Sequence, residues 1–299
     1  MSEAIAGTRF DADSFAPIAV AVRSDVDESL HHGAGVVVRA DGSVSASAGD
    51  PEVLVHPRSA LKPFQTAAMI GAGLDLPDRL LAVVGASHSG EQRHLEAVVE
   101  ILERHGLEVD DLMNTAARPY SAVARSAARV AGREPSPLQQ NCSGKHAGML
   151  ATCTVNGWAT DSYLDPDHPL QVAIVDEVDR RAGRPGGSVA DVGVDGCGAP
   201  TYVMPLVDVA RGVAALVRDR SEAVRSMVAH PEMVGGEDRD VTIWMEAVPG
   251  LVAKEGAAGV MVLAMPDGSA GALKIADGSD AARNAVTVEM LRRLGVCLL

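Results

Sequence analysis

The chain predicts a mixed α/β (α+β) fold, an antiparallel sheet built from N- and C-terminal strands and flanked by helices. Three observations carry this expectation. Short β-rich runs joined by turn residues lie toward each end of the sequence, and the residues between them place apolar side chains at helical spacing. A hydrophobic content of 47% over 299 residues is also ample for one sizeable core. Residues 1–299 are therefore read as a single domain, with the N-terminal residues to about Phe15 expected to be disordered.

Taken in order, Pro17 to Val22 reads as the first strand, and Ala34 to Arg39 with Ser43 to Ala46 reads as a hairpin closed at Asp41-Gly42. The polar run Asp27 to Gly33 between them reads as a loop, able to bring His31 or His32 to a site. Val53 to Val55 is expected to deliver Ser59 to a strand-to-helix corner, with Ser59 opening a helix that continues through Phe64 to Gly73. A helix over Gln92 to His105 carries Leu95, Val98, Val99, Ile101 and Leu102 at helical spacing, with Ser89 and Gln92 in capping-box relation. Arg118 to Leu138 reads as irregular. An apolar helix follows Gln139 to Cys142 and runs through Cys153. A glycine-rich turn after a strand occupies Val192 to Thr201, and Tyr202 to Arg218 reads as a long helix. Gly256 to Met265 and Ser269 to Ile275 form a second hairpin across Pro266-Asp267-Gly268, and Ala281 to Leu294 closes the chain as a helix.

Composition excludes several classes of function. With 40 acidic and 26 basic residues the net charge is -14, which argues against a nucleic-acid partner. An aromatic content of 3% leaves little material for base stacking. No window approaches the roughly 20 apolar residues that span a bilayer. Met1 to Phe15 is too polar for a secretory signal. The four cysteines are too few for a disulfide framework and suit a reducing compartment, so a cytoplasmic location is expected.

The chemistry-bearing residues begin at the Ser59 corner. In a helix, Ser59 and Lys62 share one face, so a hydroxyl and an amine point into the same space. An amine kept partly neutral by burial or by a second cation, here Arg58, can take the serine proton and make the oxygen a nucleophile. Cys142 and Lys145 repeat the same spacing. Lys254-Glu255-Gly256 precedes the late strand, so the chain holds Ser-x-x-Lys, Ser-x-Ser at Ser87 to Ser89, and Lys-x-Gly in that order.

That order resembles the penicillin-recognising serine hydrolases, although the middle element lacks their usual asparagine. A longer resemblance joins His56 to Gln65, Ser87 to Glu91, Asn141 to Met149 and Asp195 to Pro200. Together they are similar to the rhizobial-type (class 3) L-asparaginases of the asparaginase II family, from about Arg23 to the C-terminal hairpin. The resemblance implies a serine-β-lactamase-like fold, a homodimer, and hydrolysis of L-asparagine to L-aspartate and ammonia. It implies serine-lysine pairs at Ser59 with Lys62 and at Ser87 with Lys254. It also implies zinc, held by Cys142, Lys145 and Cys197.

The residues themselves fit such a substrate. A zwitterion needs a cation for its carboxylate and an anion or carbonyls for its ammonium, and Arg58 and Asp195 have the right charges. Asn141, His88 and His146 adjoin the motifs and are expected to contact substrate, while a structural histidine is the default for the last two. Two thiolates suit Zn²⁺, and three protein ligands leave a fourth position open. Two buried structural cysteines are the other reading of that pair, and Cys153 and Cys297 read as core residues. The competing functions are a glutaminase or β-lactamase-like serine hydrolase, and a non-catalytic, zinc-dependent amino-acid-binding protein.

Overall fold

The computed structural model describes residues 11–297. The disorder expected to about Phe15 falls, for residues 1–10, outside the described residues. Residues 12–14 form a 3-10 turn that leads into β1 (Ala16–Arg23).

β1 turns directly into β2 (Val26–Val38) through Ser24 and Asp25, both at positive φ (49° and 63°). The run Asp27 to Gly33 is therefore strand and not the expected loop. Two consecutive positive-φ residues make the tight twist of a hairpin turn without its usual Asn-Gly signature. β2 continues into β3 (Val44–Ala48) and pairs with it from Gly35 to Val38, as the Asp41-Gly42 turn predicts. β4 (Leu54–Val55) leads to a 3-10 turn over Arg58–Leu61, and only then does α1 (Lys62–Gly71) begin. Next come α2 (Asp78–Val84), α3 (Gln92–Arg104) and α4 (Ala122–Val130).

Two sequence expectations change here. The capping box of α3 is Glu91 with His94, so Ser89 is released from that task. Arg118 to Leu138 is not irregular throughout, because Ser121 caps α4 by accepting from the Ala124 N–H. α4 buries only Ala128, so its apolar period is short and easily read as loop.

The later elements are α5 (Ser143–Asn156), α6 (Pro169–Ala182), β5 (Asp191–Val194), β6 (Pro200–Pro205), α7 (Leu206–Arg218), α8 (Glu222–Ala229), α9 (Pro231–Val234), α10 (Asp240–Ala247), β7 (Val252–Gly256), β8 (Val260–Ala264), β9 (Ala270–Ile275) and α11 (Asp280–Arg293). Tyr202 thus lies in a strand, and the helix expected from that residue starts only after Pro205, its N-cap.

The main sheet runs β1-β2-β9-β8-β7, with β3 on the β1 side of β2, and every pair is antiparallel. Strands from the two ends of the chain meet at β2 and β9, in register from Gly33 opposite Ile275 to Val38 opposite Ala270. β8 and β9 are buried along their whole length, so both sheet faces are covered, with α7 and α11 packed on them. β4, β6 and β5 form a small separate sheet. The other helices form a layer in which α2 and α5 approach closely. A Cβ at Gly144 would lie 2.1 Å from the Val83 carbonyl oxygen, and one at Gly148 would lie 2.7 Å from Val84 Cγ1. Among the described residues no helix is long and apolar enough to cross a membrane.

Candidate active site

Four segments far apart in sequence converge at the β7 edge of the main sheet. The Arg58–Leu61 turn lies along β7 so closely that a Cβ at Gly256 would sit 2.2 Å from the Pro57 carbonyl oxygen. Arg58 enters that turn at a φ of 55°, a left-handed conformation that costs a non-glycine residue about 1–2 kcal/mol. Its guanidinium donates from Nε to Asp195 Oδ1 at 2.6 Å, which ties the strained corner to the β5–β6 turn.

Lys62 is the first residue of α1 and is 1% exposed. Its amine donates to the Ala86 carbonyl oxygen, to Ser87 Oγ at 3.2 Å and to Cys142 Sγ at 3.2 Å. It makes no hydrogen bond to Ser59. The expected direct couple is therefore replaced: Ser59 sits in the 3-10 turn, half-buried on the cavity wall, while the Lys62 side chain runs inward from the helix start to the α2–α3 loop.

Ser87 lies in that loop, which is stitched to α9 by Ser87 N–H to Val234 O and Ser89 N–H to Gly235 O. Its hydroxyl accepts from Lys254 Nζ at 2.8 Å as well as from Lys62. Lys254, on β7, is completely buried and also donates to the Glu255 carbonyl oxygen at 2.9 Å. Burial pushes the Lys254 ammonium down to about 8, with Lys62 and Arg239 adding to the shift and Glu255 opposing it. Arg239 donates to the Ser87 carbonyl oxygen at 3.2 Å and to Glu255 Oε1 at 2.9 Å, and it stacks over Tyr120 at 4.6 Å.

Ser59, Ser87, Tyr120, Asn141, Arg239 and Glu255 share one cavity of about 460 Å³. Arg239, Glu255 and Tyr120 carried no role in the sequence. Glu255 stands inside Lys-x-Gly, and adjacency to Lys254 was its one available signal.

Behind Lys62 lies the thiol cluster. Cys142 precedes α5, Lys145 sits in its first turn, and Cys197 is in the β5–β6 turn; all three are buried. Lys145 Nζ donates to Cys197 Sγ at 3.2 Å. The thiol pair shares a hydrogen bond that lowers Cys142 well below the usual thiol range and raises Cys197. Lys62 and Lys145 stabilise the Cys142 thiolate against burial. Burial works against the Lys145 charge, but Cys197, Cys142 and Asp195 hold its ammonium above the ordinary value.

Two soft thiols and an amine gathered in one place fit the donor set of a zinc ion. Among the described residues no group of three His, Cys, Asp or Glu side chains is placed to hold a metal, so that set depends on Lys145.

The remaining expected residues divide. Asn141 lines the cavity, with its Oδ1 3.6 Å from Cys142 Sγ. His88 commits both ring nitrogens, Nδ1 accepting from Gly90 N–H at 3.1 Å and Nε2 bonding Ser143 Oγ at 2.9 Å, so it ties the Ser87 loop to α5. His146 bonds Tyr163 Oη through Nδ1 at 2.8 Å. Burial holds both imidazoles neutral, and neither lines the cavity. Asp195 is kept ionised against its burial by Lys145 and Arg58, and it is bonded to Arg58. His31 bonds Asp277 and His32 is exposed, so neither reaches the site.

Comparison with known proteins adds the following. A family model described as L-asparaginase II matches residues 19–298. No curated relative matches the chain. Among solved structures the chain is similar to a β-lactamase from Mycobacterium bovis, with TM-score 0.43 and 14% identity over 88% of this chain and 95% of that one. It is similar to Mglu in its native form, with TM-score 0.47 and 15% identity over 89% of this chain and 65% of that one. A Bacillus glutaminase aligns with TM-score 0.38 and 14% identity over 89% of this chain and 92% of that one. The chain spans just under two thirds of the length of Mglu.

Proposed function

The chain belongs to the L-asparaginase II family and is an amidohydrolase enzyme, and from that premise we propose that it hydrolyses L-asparagine to L-aspartate and ammonia in the cavity lined by Ser59 and Ser87. One observation carries this reading: a hydroxyl held by two buried lysine amines shares a cavity wall with a second, unbonded hydroxyl.

In the proposed mechanism Ser59 is the nucleophile. Its oxygen has no competing hydrogen bond and is half-buried on the cavity wall, so it is free to reach the side-chain carboxamide carbon. Its proton passes, directly or through one water, to Ser87 as Ser87 gives its own to the neutral Lys254 amine. Collapse of the tetrahedral intermediate returns that proton to the departing ammonia. Water then attacks the aspartyl ester, its proton passing through Ser87 to Lys254, and that proton returns to Ser59 as L-aspartate leaves. Backbone N–H groups near Ser59 are assigned to the oxyanion. Lys62 bonds both Ser87 and Cys142, so it orients the relay and joins it to the thiol cluster.

Zinc belongs to this reading, held by Cys142, Cys197 and Lys145. When bound it supplies a Lewis acid with one position open to water or substrate. Lysine ligates as the neutral amine, so binding releases its proton and is favoured by rising pH. A homodimer in the cytoplasm completes the proposal.

The test is ammonia release from L-asparagine against L-glutamine, with nitrocefin as the β-lactam control. Turnover of L-asparagine that falls by several orders of magnitude in a folded Ser59→Ala variant is expected. Wild-type-like turnover in that variant overturns the nucleophile, and activity on glutamine or nitrocefin alone overturns the substrate.

A further inference from the structure

Glu255 is an anion on the cavity wall with half of its carboxylate unused. Its side chain is 8% exposed. Oε1 accepts from Arg239 at 2.9 Å and lies 3.1 Å from Lys254 Nζ, whereas Oε2 is buried with no hydrogen-bond partner. A buried carboxylate oxygen in that state carries an uncompensated desolvation cost of about 1–3 kcal/mol, which a cationic donor entering the cavity removes. The opposite charge stands on the same cavity: Arg283 is 7% exposed, is paired with Asp240 through Nη2, and has its Nε unpartnered.

The α-ammonium of a zwitterionic substrate needs such an anion. Asp195 does not line this cavity, and its Oδ1 is taken by Arg58 Nε and the Gly196 N–H. Of the other carboxylates on the cavity, Asp240 bonds Arg283, Asp280 lies 3.5 Å from Arg283 Nη1 and is mostly exposed, and Asp238 is exposed. Glu255 alone combines burial, a free oxygen and adjacency in sequence to Lys254, which holds Ser87.

The geometry points to Glu255 as the residue that receives the substrate's α-ammonium, making it the determinant that selects an α-amino acid amide over an amide lacking the amino group. The terminal torsion of a glutamate is broad and roughly two-fold, so the carboxylate can turn on the cavity wall with one oxygen left to Arg239 and the other offered to the substrate. This assignment rests on the proposed amidohydrolase reading and deepens it. A structural role through Lys254 alone would slow every substrate equally, whereas recognition of the ammonium changes the ratio between substrates.

The experiment compares kcat/KM for L-asparagine and for succinamate, its analogue without the α-amino group, in the wild type and in Glu255→Gln and Glu255→Asp. A charge-assisted hydrogen bond predicts that Glu255→Gln lowers the asparagine-to-succinamate ratio about 10- to 100-fold. Glu255→Asp, which keeps the charge on a shorter arm, should recover part of it. An unchanged ratio, with both rates falling together, overturns the assignment. A second arm reads binding without chemistry: L-aspartate should raise the thermal midpoint of the wild type more than succinate does, and that difference should vanish in Glu255→Gln. Equal stabilisation of the wild type by both ligands also overturns it. A wild type that binds L-aspartate selectively but turns over neither amide overturns the proposed function and leaves the ammonium site standing.

Discussion

Replacing Lys254 with methionine tests the relay most fully, because it removes one amine and little else. Methionine keeps the unbranched stem inside the sheet edge, and Glu255 retains its bond from Arg239 at 2.9 Å, so its charge stays compensated. Ser87 keeps Lys62 as a donor at 3.2 Å but loses the 2.8 Å contact. Lys254 is the group brought near neutrality by burial. With an ammonium at about 8, about a tenth of the amines are neutral at pH 7 and about half at pH 8. The wild-type kcat/KM should then rise about fivefold across that unit and level off above about pH 9. Loss of a positioned general base costs about 10²- to 10⁴-fold, and the acid limb should vanish with it. Ammonia release measured from pH 6 to 10 for both proteins gives both numbers. A folded Lys254→Met variant within about tenfold of wild type, or a wild-type rate flat from pH 7 to 9, would refute the relay.

Three further outcomes follow from other parts of the molecule. Cys197→Ser should lower zinc content by elemental analysis while Cys153→Ser, on the buried face of α5, leaves it unchanged; full zinc in both variants would put the metal elsewhere. Acid should destabilise the fold, because burial lowers His88 well below its ordinary value and His94 to about 4, while the unfolded chain protonates both near 6.5. Stability is thus full above about pH 6.5 and is lost as pH falls toward 4, by about 1.4 kcal/mol per pH unit for each histidine, measurable by urea unfolding; equal stability at pH 7 and pH 5 would contradict it. Gly144→Ala should destabilise by about 1–3 kcal/mol or more, since its Cβ would meet the Val83 carbonyl oxygen at 2.1 Å, and unchanged chemical denaturation would show that α5 and α2 can separate freely.

Much of the sheet was legible because its signals are local. Asp41-Gly42 and Pro266-Asp267-Gly268 are turn sequences that follow valine-rich runs, and each does join paired strands. The β1–β2 turn was not, because Ser24 and Asp25 reach positive φ without the residues that usually mark it. α4 was missed for lack of a buried stripe, and the start of α7 was placed inside β6 because Tyr202 to Pro205 is buried strand with no alternation to betray it.

At the site, the residue types and their grouping were readable, since the hydroxyls, amines and thiols stand in short motifs. The partnerships were not. Spacing joined Ser59 to Lys62, but a lysine has a long flexible stem, and three-dimensional packing sends its amine to Ser87 and Cys142 instead. Arg239 and Glu255 escaped notice because what distinguishes them is burial and an unshared oxygen, neither of which is written in sequence.

The most direct measurement of the central claim is to quench the enzyme during turnover of L-asparagine and locate the covalent aspartyl ester by peptide mass mapping. The ester is expected on the peptide containing Ser59. An ester on Ser87 would exchange the roles of the two serines, and complete turnover with no acylated serine would contradict covalent catalysis at this cavity.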